Sequence, residues 1–141
     1  MVSDTKNLKT LGKSTTAYSY DKPNNKLLET FENQHQLTDH SIKITAPEFT
    51  SLCPKTGQPD FATIVVEYTP DKLCVESKSF KLYLGSFRMH GEFHEDCTCR
   101  ILEDLVDLLD PKKMKVTGNF MPRGGISFVP TAEYYKDLGN I

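Results

Sequence analysis

The hydrophobic pattern of this 141-residue chain changes its period twice, and this constrains the possible folds more than any other feature. Apolar residues alternate with polar ones in SIKITA (41–46) and FATIVVEYT (61–69), as in half-buried strands. In the middle of the chain they recur every three or four positions, as on one face of a helix. The alternation returns in KVTGNFM (115–121) and ISFV (126–129). The order strand, strand, helix, helix, strand, strand predicts an α+β protein with an antiparallel sheet.

Local signals mark the ends of these elements. The first helical stripe ends near Gly91 and comprises Phe80, Tyr83, Leu84 and Phe87. The second runs from Ile101 to Leu109 and stops at Asp110-Pro111, a helix terminator. The segment PRGG (122–125) predicts a hairpin turn between the last two strands. Such a sheet leaves exposed edge strands, so we expect an oligomer.

Length and composition indicate a single globular domain. The chain is 38% hydrophobic and 26% charged, with a net charge of −2, which gives no general attraction to nucleic acid or to anionic membranes. No apolar run approaches the roughly 20 residues of a membrane span. Residues 1–26 lack periodicity and a signal-peptide pattern, so we expect a flexible arm there, one domain over 27–141, and a cytoplasmic protein.

Cys53 lies in an unusual place, the stiff polar loop SLCPKTGQPDFA (51–62). Lys55 and the loop amides favour a lowered thiol pKa, and Pro54 and Pro59 limit the loop's conformations, which together indicate a nucleophile. The alternative is a structural thiol in a turn. Asp60 is a possible general acid or base for the same pocket, or a carboxylate that satisfies local amides.

The segment ESKSFKLY (76–83) opens the first helix. Lys78 and Lys81 lie on one helix face, where they could bind a phosphorylated ligand, and Glu76 could accept hydrogen bonds from a ligand. The alternative is an ordinary capped, solvated first turn.

The segment FHEDCTC (93–99) allows two kinds of chemistry. In one, Phe93 stacks on a planar ring, Glu95 accepts from its N–H groups and His94 handles a proton. In the other, zinc is bound by His94, Cys97 and Cys99 together with Cys53, although Cys-x-Cys spacing favours zinc only weakly. Cys74, in the apolar stretch LCV, is expected to be a small buried side chain.

Four segments together resemble a known family. CPKTGQPDFA, ESKSFKLY, FHEDC and PRGGI, in this order between about Phe49 and Val129, resemble the signatures of the queuosine-pathway nitrile reductases, the NADPH-dependent 7-cyano-7-deazaguanine reductases or QueF family, in its short single-module form. The resemblance implies the tunnelling fold, with the sheets of several subunits joined into stacked rings and active sites between subunits. It also implies NADPH as cofactor. Because the sequence has no GxGxxG strand–turn–helix unit, NADPH is expected to bind outside a Rossmann fold, as in this family.

The resemblance also implies roles for individual residues. Cys53 would add to the nitrile carbon to give a thioimidate, Asp60 would protonate the nitrile nitrogen, and two hydrides would follow. The implied substrate contacts are Val75, Glu76, Ser77, Phe93, His94 and Glu95. The implied NADPH contacts are Lys78, Lys81, Arg123 and Gly124.

Three expectations complete the sequence-based view. No metal, nucleic acid or membrane partner is expected. Cys97 is expected close enough to Cys53 to form a protective disulfide under oxidation; the alternatives are that Cys99 is the partner or that Cys97 faces the core from the second helix. A zinc-dependent cyclohydrolase-like enzyme on the same fold, or an inactive pterin- or purine-binding module, is the alternative function.

Overall fold

A computed structural model describes residues 4–10 and 15–137 of the chain. Its elements are a 3₁₀ turn at Asn25–Leu27, strands β1 (Thr30–Glu32), β2 (Ile42–Leu52), β3 (Pro59–Thr69) and β4 (Leu73–Val75), helices α1 (Ser77–Gly85) and α2 (His94–Leu109), and strands β5 (Lys113–Arg123), β6 (Ile126–Phe128) and β7 (Thr131–Tyr135). Within these ranges no helix has the length and apolar character needed to cross a bilayer.

The predicted α+β architecture is confirmed. Strands β2, β3, β5 and β6 form an antiparallel sheet in that order, with β7 also paired to β5, and both helices lie between β3 and β5 in the chain. The PRGG turn joins β5 to β6, where Gly124 and Gly125 have φ values of 55° and 79° that favour glycine. The predicted arm and the end of the predicted domain fall partly on residues 1–3, 11–14 and 138–141, which lie outside the described residues.

Three short strands were not predicted. Strands β1 and β4 pair only with each other, and their three-residue lengths are too short to show a period. Strand β7 lies beside β5, with Met114 opposite Tyr134. Strand β2 is also longer than predicted, because a bulge between Ala46 and Phe49 interrupts the alternation and the strand continues beyond it.

The first helix is shorter than its apolar stripe indicated. It ends at Gly85, and Ser86 closes the last turn by donating from its backbone N–H to the carbonyls of Leu82 and Tyr83. Phe87 therefore lies beyond the helix, contrary to prediction. It is still fully buried, because its ring packs edge-on against Phe49 and Tyr83.

Helix α2 lies close to the sheet at Gly118. A Cβ atom at this position would lie 2.5 Å from Thr98 Oγ1 and 2.8 Å from the Phe120 ring. This close approach lets the apolar face of α2 pack on β5, with Ile101 and Leu105 fully buried in the shared core. The same packing places the first turn of α2 at the end of the sheet where β2 meets β3, because His94 stacks on Phe120 there.

Candidate active site at the β2–β3 loop

The loop that carries Cys53 is closed by its own backbone. Cys53 N–H donates to the Gln58 carbonyl at 2.8 Å, and Gly57 N–H donates to the Cys53 carbonyl at 3.0 Å. Gly57 has a φ of 71°, which suits glycine at this sharp turn. The Cys53 side chain is 8% exposed, so its position is fixed by the loop and it remains accessible from one side.

The same loop favours the ionised form of Cys53. Its pKa is lowered to about 6, chiefly by a hydrogen bond from the Thr56 hydroxyl, then by the backbone N–H groups of Thr56 and Lys55, with a contribution from the Arg123 side chain. Hydrogen bonds to a thiolate stabilise it relative to the thiol. The loop therefore holds a nucleophile that is largely ionised at neutral pH.

Asp60, the second residue of β3, faces two partners. Arg123 at the end of β5 donates from Nε to Asp60 Oδ1 at 2.7 Å, and its terminal nitrogen donates to the same oxygen. His94 Nε2 lies 3.2 Å from Oδ2. That contact lacks hydrogen-bond geometry, and Oδ2 accepts no hydrogen bond from any residue in 4–10 or 15–137 although it is buried. Arg123 thus holds one oxygen of Asp60, and the other oxygen lies beside His94 without a hydrogen bond among the described residues.

Two aromatic rings fix the orientation of His94. Its imidazole stacks on Phe120 with ring centroids 3.9 Å apart and an interplanar angle of 10°, and it meets Phe128 edge-on. Phe93 and Glu95 on either side of it are exposed. The first turn of α2 therefore presents an aromatic ring and a carboxylate to solvent beside the half-buried imidazole.

Comparison with known proteins identifies the family. A family model described as QueF-like protein matches residues 59–138. The NADPH-dependent 7-cyano-7-deazaguanine reductase of Streptococcus mutans serotype c is 58% identical over 129 residues, which cover 92% of this chain and 79% of that protein. The chain belongs to the QueF family. The protein of the same name from Bacillus cytotoxicus is 54% identical over 131 residues, covering 93% of this chain and 79% of that protein.

A solved structure supports the fold of this QueF-family chain. The crystal structure of the archaeosine synthase QueF-Like in the apo form superposes with a TM-score of 0.63 at 24% identity, covering 68% of this chain and 94% of that one. The predicted tunnelling fold is confirmed at the level of the single subunit.

The residues predicted from the QueF resemblance fall into two groups. Cys53, Asp60, His94 and Arg123 lie together at one end of the sheet, with Phe93, Glu95 and Gly124 adjacent to them in the chain. The second group lies on and before α1 and comprises Val75, Glu76, Ser77, Lys78 and Lys81. No hydrogen bond or ion pair joins the two groups among the described residues, so they form two separate polar clusters in one subunit.

Several of these residues also have local structural roles. Glu76 caps α1, with its carboxylate accepting from the backbone N–H groups of Lys78 at 2.5 Å and Ser79 at 3.0 Å, as the capped-turn alternative anticipated. Val75 is buried. Arg123, predicted to contact NADPH, is hydrogen-bonded to Asp60. Their predicted ligand contacts stay predictions.

The remaining cysteines do not assemble a metal site. Cys97 is fully buried, with Sγ 3.8 Å from both Ser51 Oγ and Glu92 Oε2, and burial raises its pKa to about 12. Cys74 is buried as expected, and Cys99 is exposed on α2. Within the described part of the chain no three His, Cys, Asp or Glu side chains are placed to hold a metal ion. All four thiols are free, so the Cys53–Cys97 disulfide stays a prediction for oxidised protein.

Two residues of the site were missed in the sequence. Thr56 sits three residues after Cys53, and its hydroxyl in a tight turn was a signal for a local donor. Phe120 supports His94, and the alternation of β5 placed it on the buried face. Its position beneath the His94 imidazole depends on the packing of α2, which the alternating pattern of β5 does not specify.

Proposed function

We propose that this protein reduces the nitrile of 7-cyano-7-deazaguanine to the primary amine of 7-aminomethyl-7-deazaguanine with NADPH, a step of queuosine tRNA-modification biosynthesis. The observation that carries the proposal is Cys53, held in a closed loop with a pKa lowered to about 6 by Thr56 and loop amides. A nitrile carbon accepts a thiolate readily, and this loop provides one at neutral pH. The names of the relatives supply the substrate and cofactor.

In the first step Cys53 Sγ forms a bond to the nitrile carbon, and one π bond of the nitrile breaks. The nitrogen takes a proton, and the product is a neutral thioimidate. We assign that proton to Asp60 Oδ2, the buried oxygen that accepts no hydrogen bond among the described residues. His94, 3.2 Å away, is the adjacent group that can replace the proton from solvent.

Arg123 positions Asp60 for this transfer. Two nitrogens of its guanidinium bind the same carboxylate oxygen, which leaves the other oxygen pointing away from Arg123 toward His94. A hydrogen bond from the Arg123 side chain also contributes to the lowered pKa of Cys53. One side chain thus links the nucleophile to the proton donor.

Each NADPH would supply one hydride when bound, so two NADPH molecules in turn would provide the two hydrides that the substrate carbon needs, one for each two-electron reduction. After the first, the carbon–sulfur bond breaks and Cys53 leaves as the thiolate that its loop stabilises, giving an imine. After the second, the imine nitrogen takes a further proton and becomes the amine. The exposed cations Lys78 and Lys81 on α1 fit the phosphates of such a cofactor.

The first turn of α2 is suited to the flat heterocycle. We propose that Phe93, which is 52% exposed, stacks on the ring and that the Glu95 carboxylate accepts from its N–H groups. In our proposal Val75, Glu76 and Ser77 approach the same ligand from the α1 side.

Because no hydrogen bond or ion pair joins the two groups among the described residues, we propose that a second copy completes the site. Large exposed apolar side chains lie at the end of the sheet that carries Cys53: Phe61, Met121, Ile126, Phe128 and Val129. The strand register supports this location, because Ala62 of β3 pairs with Phe120 of β5, which in turn pairs with Phe128 of β6. A patch of this kind beside an open sheet edge is typical of a subunit interface.

The test is to mix the full-length protein with 7-cyano-7-deazaguanine and NADPH, follow the loss of nicotinamide absorbance, and identify the product by mass spectrometry. We expect two NADPH oxidised for each amine formed, and no turnover by Cys53→Ala. NADPH oxidation without amine, or turnover retained in Cys53→Ala, would sink the proposal.

A further inference from the structure

A groove of about 760 Å³ lies between α1 and β2. Its walls include Phe49 of β2, Phe80 and Lys81 of α1, Arg88 just after α1, and Tyr18 and Tyr20 from the segment before the domain. We call it the arm groove. Its volume is within the range of pockets that hold small ligands. Its described lining includes Ser77, one of the predicted substrate contacts, but none of Cys53, Asp60, His94 or Arg123, so the groove lies on the α1 side of the predicted site and does not include the thiolate.

The two tyrosines form one wall of the arm groove. Their rings are nearly parallel, with an interplanar angle of 20° and centroids 6.1 Å apart. The segment is tied to the domain here, because Met89 N–H donates to the Tyr20 carbonyl at 2.8 Å. Tyr18 is 50% exposed and Tyr20 is 39% exposed, so solvent reaches both side chains. Such rings are stacking surfaces for a flat base.

A cation accompanies each ring. Lys81 Nζ lies 5.8 Å from the centroid of Tyr18, and Arg88 Cζ lies 5.7 Å from the centroid of Tyr20. Glu48 is the acidic side chain among the groove's described lining, so positive charge exceeds negative charge there. Cations beside aromatic faces suit a ligand that joins a flat base to phosphates.

We infer that the arm groove binds the adenosine 2′-phosphate end of NADPH, with the adenine against Tyr18 and Tyr20 and the 2′-phosphate on Arg88. This inference rests on the proposed function. The nicotinamide has to reach the substrate carbon at Cys53, so the far end of the dinucleotide is the part that a separate groove can take. Lys81 of α1 also lines the groove, and we assign it to the two phosphates that join the halves of the dinucleotide. Arginine is the usual partner of a 2′-phosphate, because its planar fork matches phosphate oxygens.

The test is calorimetric titration of the full-length protein with adenosine 2′,5′-bisphosphate, and with adenosine 5′-monophosphate, which lacks only the 2′-phosphate. We expect Tyr18→Ala/Tyr20→Ala to weaken both ligands by roughly 5- to 150-fold. Arg88→Ala should weaken the bisphosphate by about tenfold or more and leave the monophosphate nearly unchanged. These titrations need neither substrate nor turnover.

Matched variants separate the ring from the fold. Tyr18→Phe/Tyr20→Phe keeps both stacking surfaces and should bind like wild type, and Tyr135→Ala removes a tyrosine that is 69% exposed elsewhere and should change neither affinity. Equal affinities in wild type and Tyr18→Ala/Tyr20→Ala overturn the inference. So does a fall in oligomer mass with unchanged affinity, which would mean that a second copy covers the groove.

A failure of the groove assignment can be distinguished from a failure of the proposed function. Incubation with 7-cyano-7-deazaguanine alone tests whether Cys53 forms a covalent adduct, and the arm groove takes no part in that reaction. If wild type and the tyrosine variant form the adduct equally while only wild type binds the bisphosphate tightly, both proposals stand. If the adduct forms and the two proteins bind the bisphosphate equally, the groove assignment alone fails. If no adduct forms, the proposed function fails.

Discussion

Arg123 binds Asp60 through one carboxylate oxygen only, with Nε 2.7 Å from Oδ1, and leaves Oδ2 without a hydrogen bond among the described residues. Burying a carboxylate oxygen without a hydrogen bond costs free energy, so the buried Oδ2 of Asp60 indicates a functional use. In the proposed mechanism, that use is to deliver a proton to the nitrile nitrogen.

Replacing Arg123 with lysine should slow covalent addition. Lysine keeps the charge but cannot supply two nitrogens to one oxygen, so Asp60 loses its fixed orientation. We expect the rate of adduct formation at saturating substrate to fall roughly ten- to hundredfold, the value of a charge-assisted hydrogen bond. The measurement is intact mass against time without NADPH. If Arg123 serves only NADPH, the substitution raises the KM for NADPH and leaves this rate unchanged.

The reactivity of Cys53 should follow a low pKa. Only the thiolate reacts with iodoacetamide, so the alkylation rate should rise with pH, reach half its maximum at about pH 6, and stay flat above neutral pH. The assay uses a Cys99→Ala background, because Cys99 is exposed, whereas Cys97 is buried with a pKa raised to about 12 and should stay unmodified.

Thr56→Val tests the cause of that low pKa. The variant removes the largest contributor, so the half-maximal pH should move upward. Thr63→Val, a threonine on β3 outside the loop, is the control. A midpoint that does not move would assign the effect to the loop amides.

Gly118 should be essential for stability. Gly118→Ala places a methyl group 2.5 Å from the buried Thr98 hydroxyl, and we expect the free energy of unfolding to fall by about 1–3 kcal/mol. Gly85→Ala is the matched control, because its added methyl group meets a neighbouring atom only at 3.7 Å and lies in a helix. Urea unfolding measures both. Equal stabilities would show that α2 can shift away from β5 at little cost.

A charge in the exposed apolar patch should disrupt assembly. Val129 is 52% exposed beside the Cys53 end of the sheet, and Val129→Lys should reduce both the particle mass by light scattering and the turnover. Leu37→Lys, at an exposed position elsewhere, should change neither. A fully active monomeric wild type would contradict the proposed site between subunits.

Local sequence patterns predicted the strands and helices that pack against elements close to them in the chain. The pairing of β2 with β3 follows from two alternating runs around a turn, and that turn brings Asp60 to the loop of Cys53. Pairing of β1 with β4 was not predictable, because Thr30 meets Val75 across a long separation and neither strand shows a period. Phe87 was assigned to a helix because a buried turn residue has the same spacing as a helical one.

The site was predictable only in part for the same reason. Spacing alone left Cys53 open between a nucleophile and a structural thiol, and resemblance to the QueF family supplied its role. That Arg123 reaches Asp60 depends on β5 lying next to β3, and that Phe120 lies under His94 depends on the close approach of α2 at Gly118. These are properties of the packed fold, and no local sequence pattern contains them.

The covalent role of Cys53 is tested most directly by intact mass spectrometry of the protein after incubation with 7-cyano-7-deazaguanine in the absence of NADPH. The proposed mechanism predicts that wild type gains the full mass of one nitrile, that peptide mapping places it on Cys53, and that Cys53→Ala gains nothing. NADPH should then remove the adduct from wild type. A protein that turns over nitrile while showing no adduct, or an adduct on another residue, would contradict it.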